Sequence, residues 1–530
     1  MTRWAVLVAT IGLAGAALVG GGCSAPTNSK NDSAPGRAEL SRALSAIESQ
    51  PRYRQSDWGY SVLDRNSGEV LAAQNADKMF DPGSTMKIYS VSTALKLYPS
   101  GYQFRTPIYR QGTVSQGALN GNLVLVASGD MSLGLREQPG GTLYYENLPD
   151  LDQSYANIGL PGAVEPPGNP LSGLDQLAAA VRASGISEVN GDVAIDDRLF
   201  TPYAGFPDGL ISPIWVNENL IDVLVTPGAV GQPASITWRP MTASYTVDNQ
   251  VTTVEATKMT SLEIIEPTPG RLTVKGQIVT GSAPTLAVKE VADPAAFART
   301  AFIEALKRAG VTVTAAGTGP NPVAVLPAKD SYQPADKLGE HVSATLAQFA
   351  NLILKVSYNR GADLMTCLAA VKTGSTDCQQ GLVAEVNTIT DLGVPATSVF
   401  PQDGAGSDDQ GRTTPTALAQ FLKAAASTLY GTALADALPV LGRSGTLANV
   451  LPQSPAAGNA QIKTGNRVIG TPAGQIIVLG NSLAGYVHAK SGRQVSVMIA
   501  VGNVPISTPA DVLTITADQA RMVEAIQQAL

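Results

Sequence analysis

Two residues at the start of an apolar run could together perform nucleophilic chemistry. Ser84 and Lys87 lie in the stretch "DPGSTMKIYSVSTALKL", where a proline and a glycine interrupt the chain just before the run. Residues three apart on a helix share a face, with Cβ atoms about 5–6 Å apart. Burial lowers the pKa of a lysine, and a neutral lysine beside a serine hydroxyl is a general base next to a nucleophile. The structural alternative is that Ser84 caps the helix while Lys87 extends to water.

A second hydroxyl and an amide lie at a predicted helix junction. Ser357 and Asn359 flank Tyr358 in "LILKVSYNRGADLM", where an apolar helical run ends shortly before a glycine. Side chains two apart at such a junction can both face a cleft. The alternative is a helix C-terminus closed by local side-chain hydrogen bonds.

A Lys-Thr-Gly sequence occurs twice, at Lys463-Thr464-Gly465 and at Lys372-Thr373-Gly374. The earlier copy closes a predicted helix, with its glycine just after the helix end, so we interpret it as structural. The later copy precedes two strand-like runs. A strand with this sequence offers a cation for a carboxylate, a hydroxyl, and a glycine that permits close approach of a backbone. We therefore expect the later copy in the functional site.

The histidine content restricts the possible chemistry. The chain contains only His341 and His488. A histidine-rich zinc site is therefore not expected, and a Ser-His-Asp triad would lack a supporting G-x-S-x-G turn. Hydrolytic chemistry would need another base, and lysine is the natural candidate. No metal or other cofactor is predicted.

Length and charge give broader limits. A chain of 530 residues with 44% hydrophobic content can bury a large core and should form more than one domain. The net charge of −7, the isoelectric point near 5.1 and the lack of a long basic run argue against a nucleic-acid partner.

The N-terminus predicts export. Residues 1–23, "MTRWAVLVATIGLAGAALVGGGC", have one arginine, an apolar run and small residues, as a secretory signal does. The "GGGC" ending resembles a lipoprotein box that would lipidate Cys23 and anchor the exported protein to the bacterial cell membrane. The alternatives are an ordinary cleaved signal or an uncleaved anchor. Residues 24–36 are predicted to form a flexible tether.

Export would place the two other cysteines, Cys367 and Cys378, in an oxidising compartment. Their even number and short spacing favour a disulfide over two unrelated thiols.

The elements that must position these residues differ along the chain. A helix is predicted at 37–49, and alternation on both sides of "RNSG" predicts a hairpin. From about 105 to 335, strand-like runs separated by proline and glycine predominate, with helices at 173–184 and 294–309. From about 338 the pattern becomes helical.

The ordered motifs S-x-x-K, S-x-N and K-T-G resemble those of the penicillin-recognising serine enzymes. The long separation of Ser84 from Ser357 resembles the penicillin-binding protein 4 family of D-Ala-D-Ala carboxypeptidases and endopeptidases. Further similar stretches are "LVASGDMSL" with Gly129-Asp130 retained, "LKVSYNRGADLM" with Asp363 where the family has glutamate, "GRSGTLANVL" and "NSLAGYV".

The resemblance implies an α/β fold. A transpeptidase-like domain, an antiparallel sheet with helices on both faces, is expected over 37–105 and 335–530. A strand-rich region inserted at 106–334 is expected to form two nested domains.

The resemblance also implies a substrate and roles for the residues. The substrate would be peptidoglycan stem peptides ending in D-Ala-D-Ala, with β-lactams as inhibitors; carboxypeptidase and endopeptidase action both remain open. Ser84 would attack the carbonyl, and Lys87, kept neutral by burial and a neighbouring positive charge, would accept its proton. Ser357 would pass the proton to the leaving amine, Lys463 would tune this transfer electrostatically, and Asn359 would hold Lys87 and a substrate amide. Thr464, with Asn466 in part, would bind the terminal carboxylate, and Gly465 would allow the substrate backbone to approach closely. The N–H groups of Ser84 and Asn466 would form the oxyanion hole.

Departures from the family pattern keep two alternatives open. Asn466 replaces a threonine, residues 403–409 read "DGAGSDD" in place of D-G-S-G-L-S-R, and extra residues follow Lys-Thr-Gly. We expect the last two changes to remodel the rim of the site. The alternatives are a catalytically weak, membrane-tethered penicillin-binding protein and a serine β-lactamase.

Overall fold

The computed structural model describes residues 34–157, 162–205 and 209–530. The predicted signal segment, Cys23 and most of the predicted tether lie outside these residues. Within the described ranges, none of the helices combines the length and the apolar character needed to cross a membrane.

Six of the ten α-helices in the described part of the chain begin after residue 345. The α-helices are α1 (Ala34–Glu48), α2 (Lys87–Leu97), α3 (Ser172–Ala183), α4 (Pro294–Arg308), α5 (Leu346–Val356), α6 (Asn359–Lys372), α7 (Gln379–Asp391), α8 (Pro415–Ala425), α9 (Gly431–Ala437) and α10 (Asp511–Ala529). Short 3₁₀ helices span Pro51–Tyr53, Gly83–Met86, Gln153–Tyr155, Asn217–Asn219, Val323–Val325, Pro334–Asp336, Ala396–Ser398 and Gly445–Leu447.

The strands fall into three stretches of the chain. The first contains β1 (Asp57–Asp64), β2 (Val70–Gln74), β3 (Gln103–Ser115) and β4 (Ala118–Val126). The second contains β5 (Glu137–Gln138), β6 (Thr142–Leu143), β7 (Glu188–Val189), β8 (Val193–Asp196), β9 (Tyr203–Gly205), β10 (Gly209–Ile211), β11 (Leu220–Thr226), β12 (Ser235–Arg239), β13 (Thr246–Val254), β14 (Ser261–Thr268), β15 (Arg271–Val279), β16 (Thr285–Glu290) and β17 (Thr312–Val313). The third contains β18 (Lys337–Thr345), β19 (Val399–Phe400), β20 (Arg412–Thr413), β21 (Ala460–Gly470), β22 (Ile476–His488) and β23 (Gln494–Ile506).

An antiparallel sheet with the order β2-β1-β23-β22-β21 joins strands from the N-terminal and C-terminal parts of the described chain. One face packs against α1 and α10, through residues such as Leu44 and Ile526. The other face packs against α2, α5, α6 and α8, through residues such as Tyr486 and Met498. Because both faces are covered, β22 and β23 are nearly continuous runs of buried residues rather than alternating ones. This arrangement confirms the predicted α/β fold.

The inserted region has its own core. A sheet with the order β17-β7-β4-β3-β18, with β8 also paired to β4, packs against α3 and α4. Two smaller sheets, β12-β11-β16 and β13-β15-β14, contribute to the same hydrophobic cluster through Val223, Val251 and Leu272. The sheet begins at Gln103 and ends at Thr345, which lie 3 residues before and 11 residues after the expected bounds of 106–334.

The strand β21 passes unusually close to the turn before α2. A Cβ atom added at Gly465 would lie 2.2 Å from the carbonyl oxygen of Pro82 and 2.8 Å from the backbone nitrogen of Thr85. Such distances leave no room for a side chain, so this glycine is required by the chain's own backbone. The close contact joins the edge of the sheet to the start of α2.

Candidate active site

The Ser84–Lys87 pair lies where the chain enters α2. Gly83–Met86 forms a 3₁₀ turn, and Lys87 begins the helix that crosses the main core. Ser84 is half-buried, whereas Lys87 is fully buried. The Lys87 Nζ lies 2.7 Å from Ser84 Oγ. The alternative in which Lys87 extends to water is therefore wrong. The two groups have the geometry of a base and a nucleophile.

Two more acceptors surround the Lys87 amine. Its Nζ donates to Asn359 Oδ1 at 2.6 Å and to the carbonyl oxygen of Ala405 at 2.8 Å. A neutral amine has two N–H groups and one lone pair. If both N–H groups bind these two oxygens, the lone pair is left for the hydrogen of Ser84.

The S-Y-N segment forms the turn between α5 and α6. Helix α5 ends at Val356, and Ser357 has left-handed backbone angles, φ 65° and ψ 36°. Such a conformation is uncommon outside glycine, asparagine and aspartate. It allows Asn359 to begin α6 and reach Lys87, while Ser357 Oγ accepts a hydrogen bond from Lys463 Nζ at 2.9 Å.

Lys463 is the second amine of the site and is fully buried on β21. Its Nζ also donates to the carbonyl oxygen of Thr464 at 2.7 Å. Burial lowers the pKa of Lys463 well below its usual value, and the positive charge of Lys87 lowers it further. The expectation was that Lys87 would be the neutral amine. That expectation stays a prediction, and because the charge of one amine disfavours the charge of the other, the two are best treated as a coupled pair.

The earlier Lys-Thr-Gly copy lies elsewhere. Lys372 ends α6 on the surface, with its Nζ 5.1 Å from the centre of the Tyr98 ring. Gly374 has a φ of +91° just after the helix end. This copy is therefore a helix end with a surface cation.

The backbone of Asn466 reaches the Ser84 turn. A Cβ atom added at Gly83 would lie 2.6 Å from the backbone nitrogen of Asn466. The backbone nitrogens of Ser84 and Asn466 therefore belong to adjoining segments, as an oxyanion hole requires. The side chain of Asn466 is exposed, so it can meet a ligand.

Thr446 also lies in the site, although it was not predicted from the sequence. Its Oγ1 lies 3.0 Å from Thr464 Oγ1, which places two hydroxyls side by side. The only sequence signal was its place in "GRSGTLANVL". Adjacent hydroxyls are suited to binding a carboxylate.

The segment 403–409 contacts Lys87, in addition to the rim where we expect its sequence change to act. Asp403 accepts backbone hydrogen bonds from Gly406 at 2.5 Å and from Asp408 at 2.7 Å. These bonds fold the segment so that the Ala405 carbonyl meets Lys87. The changed sequence therefore still supplies a backbone acceptor to the amine.

Arg467, also missed from sequence, ties three segments together. Its Nε pairs with Asp81 Oδ2 at 2.9 Å, just before Ser84, and its guanidinium donates to the carbonyl oxygens of Gly406 and Asp408 at 2.6 and 3.1 Å. It therefore links β21 to the turn that contains Ser84 and to the 403–409 segment.

Two supports lie behind the S-Y-N turn, on α6. Asp363 is buried and accepts from the backbone nitrogen of Gly404 at 2.9 Å. Cys367 is joined to Cys378 by a disulfide with an S–S distance of 2.01 Å.

The structure thus brings the predicted residues of all three motifs into one site. The chain segments that meet there contain Ser84 and Lys87, Ser357 and Asn359, and Lys463 to Asn466. The predicted lipidation residue, Cys23, lies outside the described part of the chain.

Comparisons with known proteins identify the same family along nearly the whole chain. The sequence profile of the D-Ala-D-Ala carboxypeptidase 3 (S13) family matches residues 40–522. A D-alanyl-D-alanine carboxypeptidase of Actinomadura sp. (strain R39) is 27% identical over 482 residues, covering 86% of this chain and 79% of that protein. The crystal structure of penicillin binding protein 4 from Haemophilus influenzae has a TM-score of 0.67 at 18% identity, covering 90% of this chain and 98% of that chain. The same protein complexed with a β-lactam has a TM-score of 0.64 at 19% identity, with the same coverage.

The lowered pKa of Lys463 predicts a pH-dependent stability difference. The unfolded chain binds more protons than the folded one between the lowered pKa and about 10.5, so this residue makes the wild type more stable as the pH rises through that window. Substituting Lys463→Met removes the titration. The free energy of unfolding of the variant minus that of the wild type should therefore decrease as the pH rises. The decrease should be about 1.4 kcal/mol per pH unit where only Lys463 titrates.

Denaturant unfolding at several pH values measures this difference. Lys372→Met is the matched control for the loss of a lysine, because it removes an exposed lysine from the other Lys-Thr-Gly copy. A curve for Lys463→Met that runs parallel to that of the wild type would contradict the lowered pKa.

Proposed function

The chain belongs to the D-Ala-D-Ala carboxypeptidase 3 (S13) family, and on that premise we propose that it cleaves peptidoglycan stem peptides through an acyl-enzyme on Ser84. Both the terminal D-Ala-D-Ala bond and the equivalent bond of a cross-link are substrates in this proposal. One observation carries it: a fully buried lysine amine lies 2.7 Å from the hydroxyl of Ser84.

In the first step, Ser84 Oγ attacks the carbonyl carbon of the scissile amide while its proton passes to Lys87. The Asn359 and Ala405 oxygens hold the two N–H groups of the amine, so its lone pair is directed at Ser84. Positioned proton transfer of this kind typically contributes 10²–10⁴-fold to the rate.

The leaving amine must then receive the proton that Lys87 accepted from Ser84, so that Lys87 is neutral again. Ser357 Oγ is well placed to relay it, because Lys463 Nζ lies 2.9 Å away and can exchange a proton with that hydroxyl. The lowered pKa of Lys463 means that its ammonium form gives up a proton more readily than that of an ordinary lysine. Water then hydrolyses the acyl-enzyme and restores Ser84.

The negative charge that develops on the carbonyl oxygen and the carboxylate of the substrate bind to separate hydrogen-bond donors. The N–H groups of Ser84 and Asn466 are assigned to the oxyanion, an interaction worth about 3–4 kcal/mol per donor in other enzymes. The paired hydroxyls of Thr464 and Thr446 are assigned to the terminal carboxylate, with the exposed amide of Asn466 at its edge.

β-Lactams should acylate the same serine. They present a strained amide carbonyl beside a carboxylate, which matches a nucleophile next to a carboxylate site. The complex of the Haemophilus protein with a β-lactam supports this part of the proposal through the shared fold.

Export and lipid anchoring through Cys23 complete the proposal. The N-terminal sequence supports a signal segment, and the Cys367–Cys378 disulfide is of a kind that persists in oxidising compartments. Cell fractionation of a Cys23→Ser variant tests the anchor. The wild type should sediment with membranes and the variant should be released from them; equal release of both would exclude lipidation at this residue.

Removal of the Ser84 hydroxyl should abolish covalent labelling by a fluorescent penicillin. Ser84→Ala removes the attacking atom and otherwise changes little. Ser92→Ala is the matched control, because Ser92 lies on the same helix with a buried hydroxyl that has no hydrogen-bond partner among the described residues. Its labelling should equal that of the wild type. Full labelling of Ser84→Ala would refute the assignment.

Product analysis separates the proposed peptidase from the two alternatives. The wild type should release D-Ala from a pentapeptide or convert a cross-linked muropeptide to monomers, and Ser84→Ala should do neither. Labelling without either product would favour a weak penicillin-binding protein. Rapid turnover of penicillin without peptide cleavage would favour a β-lactamase.

Substitution of Asn466→Thr should improve the binding of a free terminal carboxylate. The asparagine amide is longer than a threonine hydroxyl and planar, so a restored hydroxyl should add about 1 kcal/mol, or roughly five-fold in kcat/KM for a pentapeptide. Thr446→Val, which removes a hydroxyl from the same group, should lower that value. An unchanged or lower kcat/KM for Asn466→Thr would show that Asn466 is not a compromised carboxylate site.

A further inference from the structure

A segment of the inserted region crosses the active site. We call residues 136–155 the strap. Its backbone and side chains contact the Gly445 turn: Leu148 N–H donates to the Gly445 carbonyl at 3.3 Å, and Gly445 N–H donates to Asn147 Oδ1 at 2.5 Å. Asn449 Nδ2 also donates to the Leu148 carbonyl at 2.8 Å. The strap is therefore joined to the segment that contains Thr446.

The last residue of the strap reaches the S-Y-N turn. The hydroxyl of Tyr155 donates to the backbone carbonyl of Ser357 and lies 3.5 Å from Asn359 Oδ1. Asn359 Oδ1 is the atom that binds Lys87, and Ser357 Oγ is the atom that binds Lys463. One hydroxyl therefore touches both functional residues of the turn.

The turn needs such support because of its backbone. Ser357 has a φ of 65°, a left-handed conformation that costs roughly 1–2 kcal/mol for a residue with a side chain. A hydrogen bond to its carbonyl stabilises the peptide orientation that this conformation requires. The direction of Ser357 Oγ follows from that backbone orientation.

A buried ion cluster fixes the strap. The guanidinium of Arg136 contacts carboxylates of Glu146 at 3.3 Å, Asp152 at 2.5 Å and Glu218 at 2.5 Å. All four residues are at most 3% exposed. A charge cluster this deeply buried is costly to disrupt, since removal of one partner leaves an uncompensated charge.

The cluster is connected directly to Tyr155. Asp152 caps the 3₁₀ turn Gln153–Tyr155, because its Oδ1 accepts from Ser154 N at 3.0 Å while its Oδ2 binds Arg136. The fully buried Tyr358, between Ser357 and Asn359, lies near the same charges: burial raises the pKa of its phenol well above the usual value, and Glu218 raises it further. The cluster thus contacts the capped turn on one side and lies close to the S-Y-N segment on the other.

We propose that Tyr155 is a positioning residue for the reaction: its hydroxyl, held by the strap, orients the Ser357 carbonyl and so directs Ser357 Oγ toward Lys463. This inference rests on the proposed function of Ser357 as the proton relay. It makes the inserted region a part of the active site rather than a separate appendage.

A double-mutant cycle tests the inference. Tyr155→Phe removes one hydroxyl and should slow acylation of Ser84 by a penicillin roughly five-fold, the usual effect of one hydrogen bond. In a Ser357→Ala background the same substitution should have almost no further effect, because Tyr155 acts through Ser357. Tyr145→Phe is the matched control and should acylate at the wild-type rate: it removes another strap hydroxyl, one without a hydrogen bond in the described parts of the chain.

The outcomes separate this inference from the proposed function. If the wild type is not acylated at Ser84, the proposed function fails. If the wild type is acylated and Tyr155→Phe reacts at the same rate, or if Tyr155→Phe slows both backgrounds equally, the positioning role of Tyr155 is overturned while the nucleophile stands.

Discussion

Two lysine amines buried in one site constrain the rest of the structure. An unpaired buried charge is strongly unfavourable, and two like charges in one site are worse. The structure accommodates them by surrounding Lys87 Nζ with three oxygen atoms and Lys463 Nζ with two. Because each positive charge disfavours the other, the two amines titrate as a coupled pair, and the pKa of Lys463 lies below its ordinary value. Loss of one proton from the pair, at a pH below the ordinary pKa of lysine, supplies the neutral amine that activation of a serine needs.

That arrangement requires distant parts of the chain to meet at short range. The edge strand β21 can reach the turn before α2 only because Gly465 and Gly83 have no side chains at the contact. Arg467 then holds the same strand to Asp81 and to the 403–409 segment. The inserted region contributes as well, since the strap supports the turn that contains Ser357. The catalytic geometry is thus maintained by backbone approach and by charge, in addition to the hydrophobic core.

The sequence predicted the parts of the molecule that depend on local pattern. Helices expected at 173–184 and 294–309 appear as Ser172–Ala183 and Pro294–Arg308, since their apolar periodicity is strong. The chemical motifs and their family could be recognised because they are short and ordered. By contrast, Tyr155, Thr446 and Arg467 act through contacts with residues far along the chain, and nothing in their local sequence marks those contacts. The contact of the 403–409 segment with Lys87 could not be foreseen for the same reason, because it is made by the backbone carbonyl of Ala405.

The pH dependence of acylation tests the shared proton most directly. The second-order rate constant for reaction of the wild type with a penicillin can be measured from about pH 5 to pH 10 by stopped-flow or labelling. The rate should rise about ten-fold per pH unit in acid and become constant well below 10.4, the ordinary pKa of lysine, because one of the two amines has already lost its proton. A rate that continues to rise until the ordinary lysine pKa would contradict the account, since it would mean that both amines hold their protons at neutral pH.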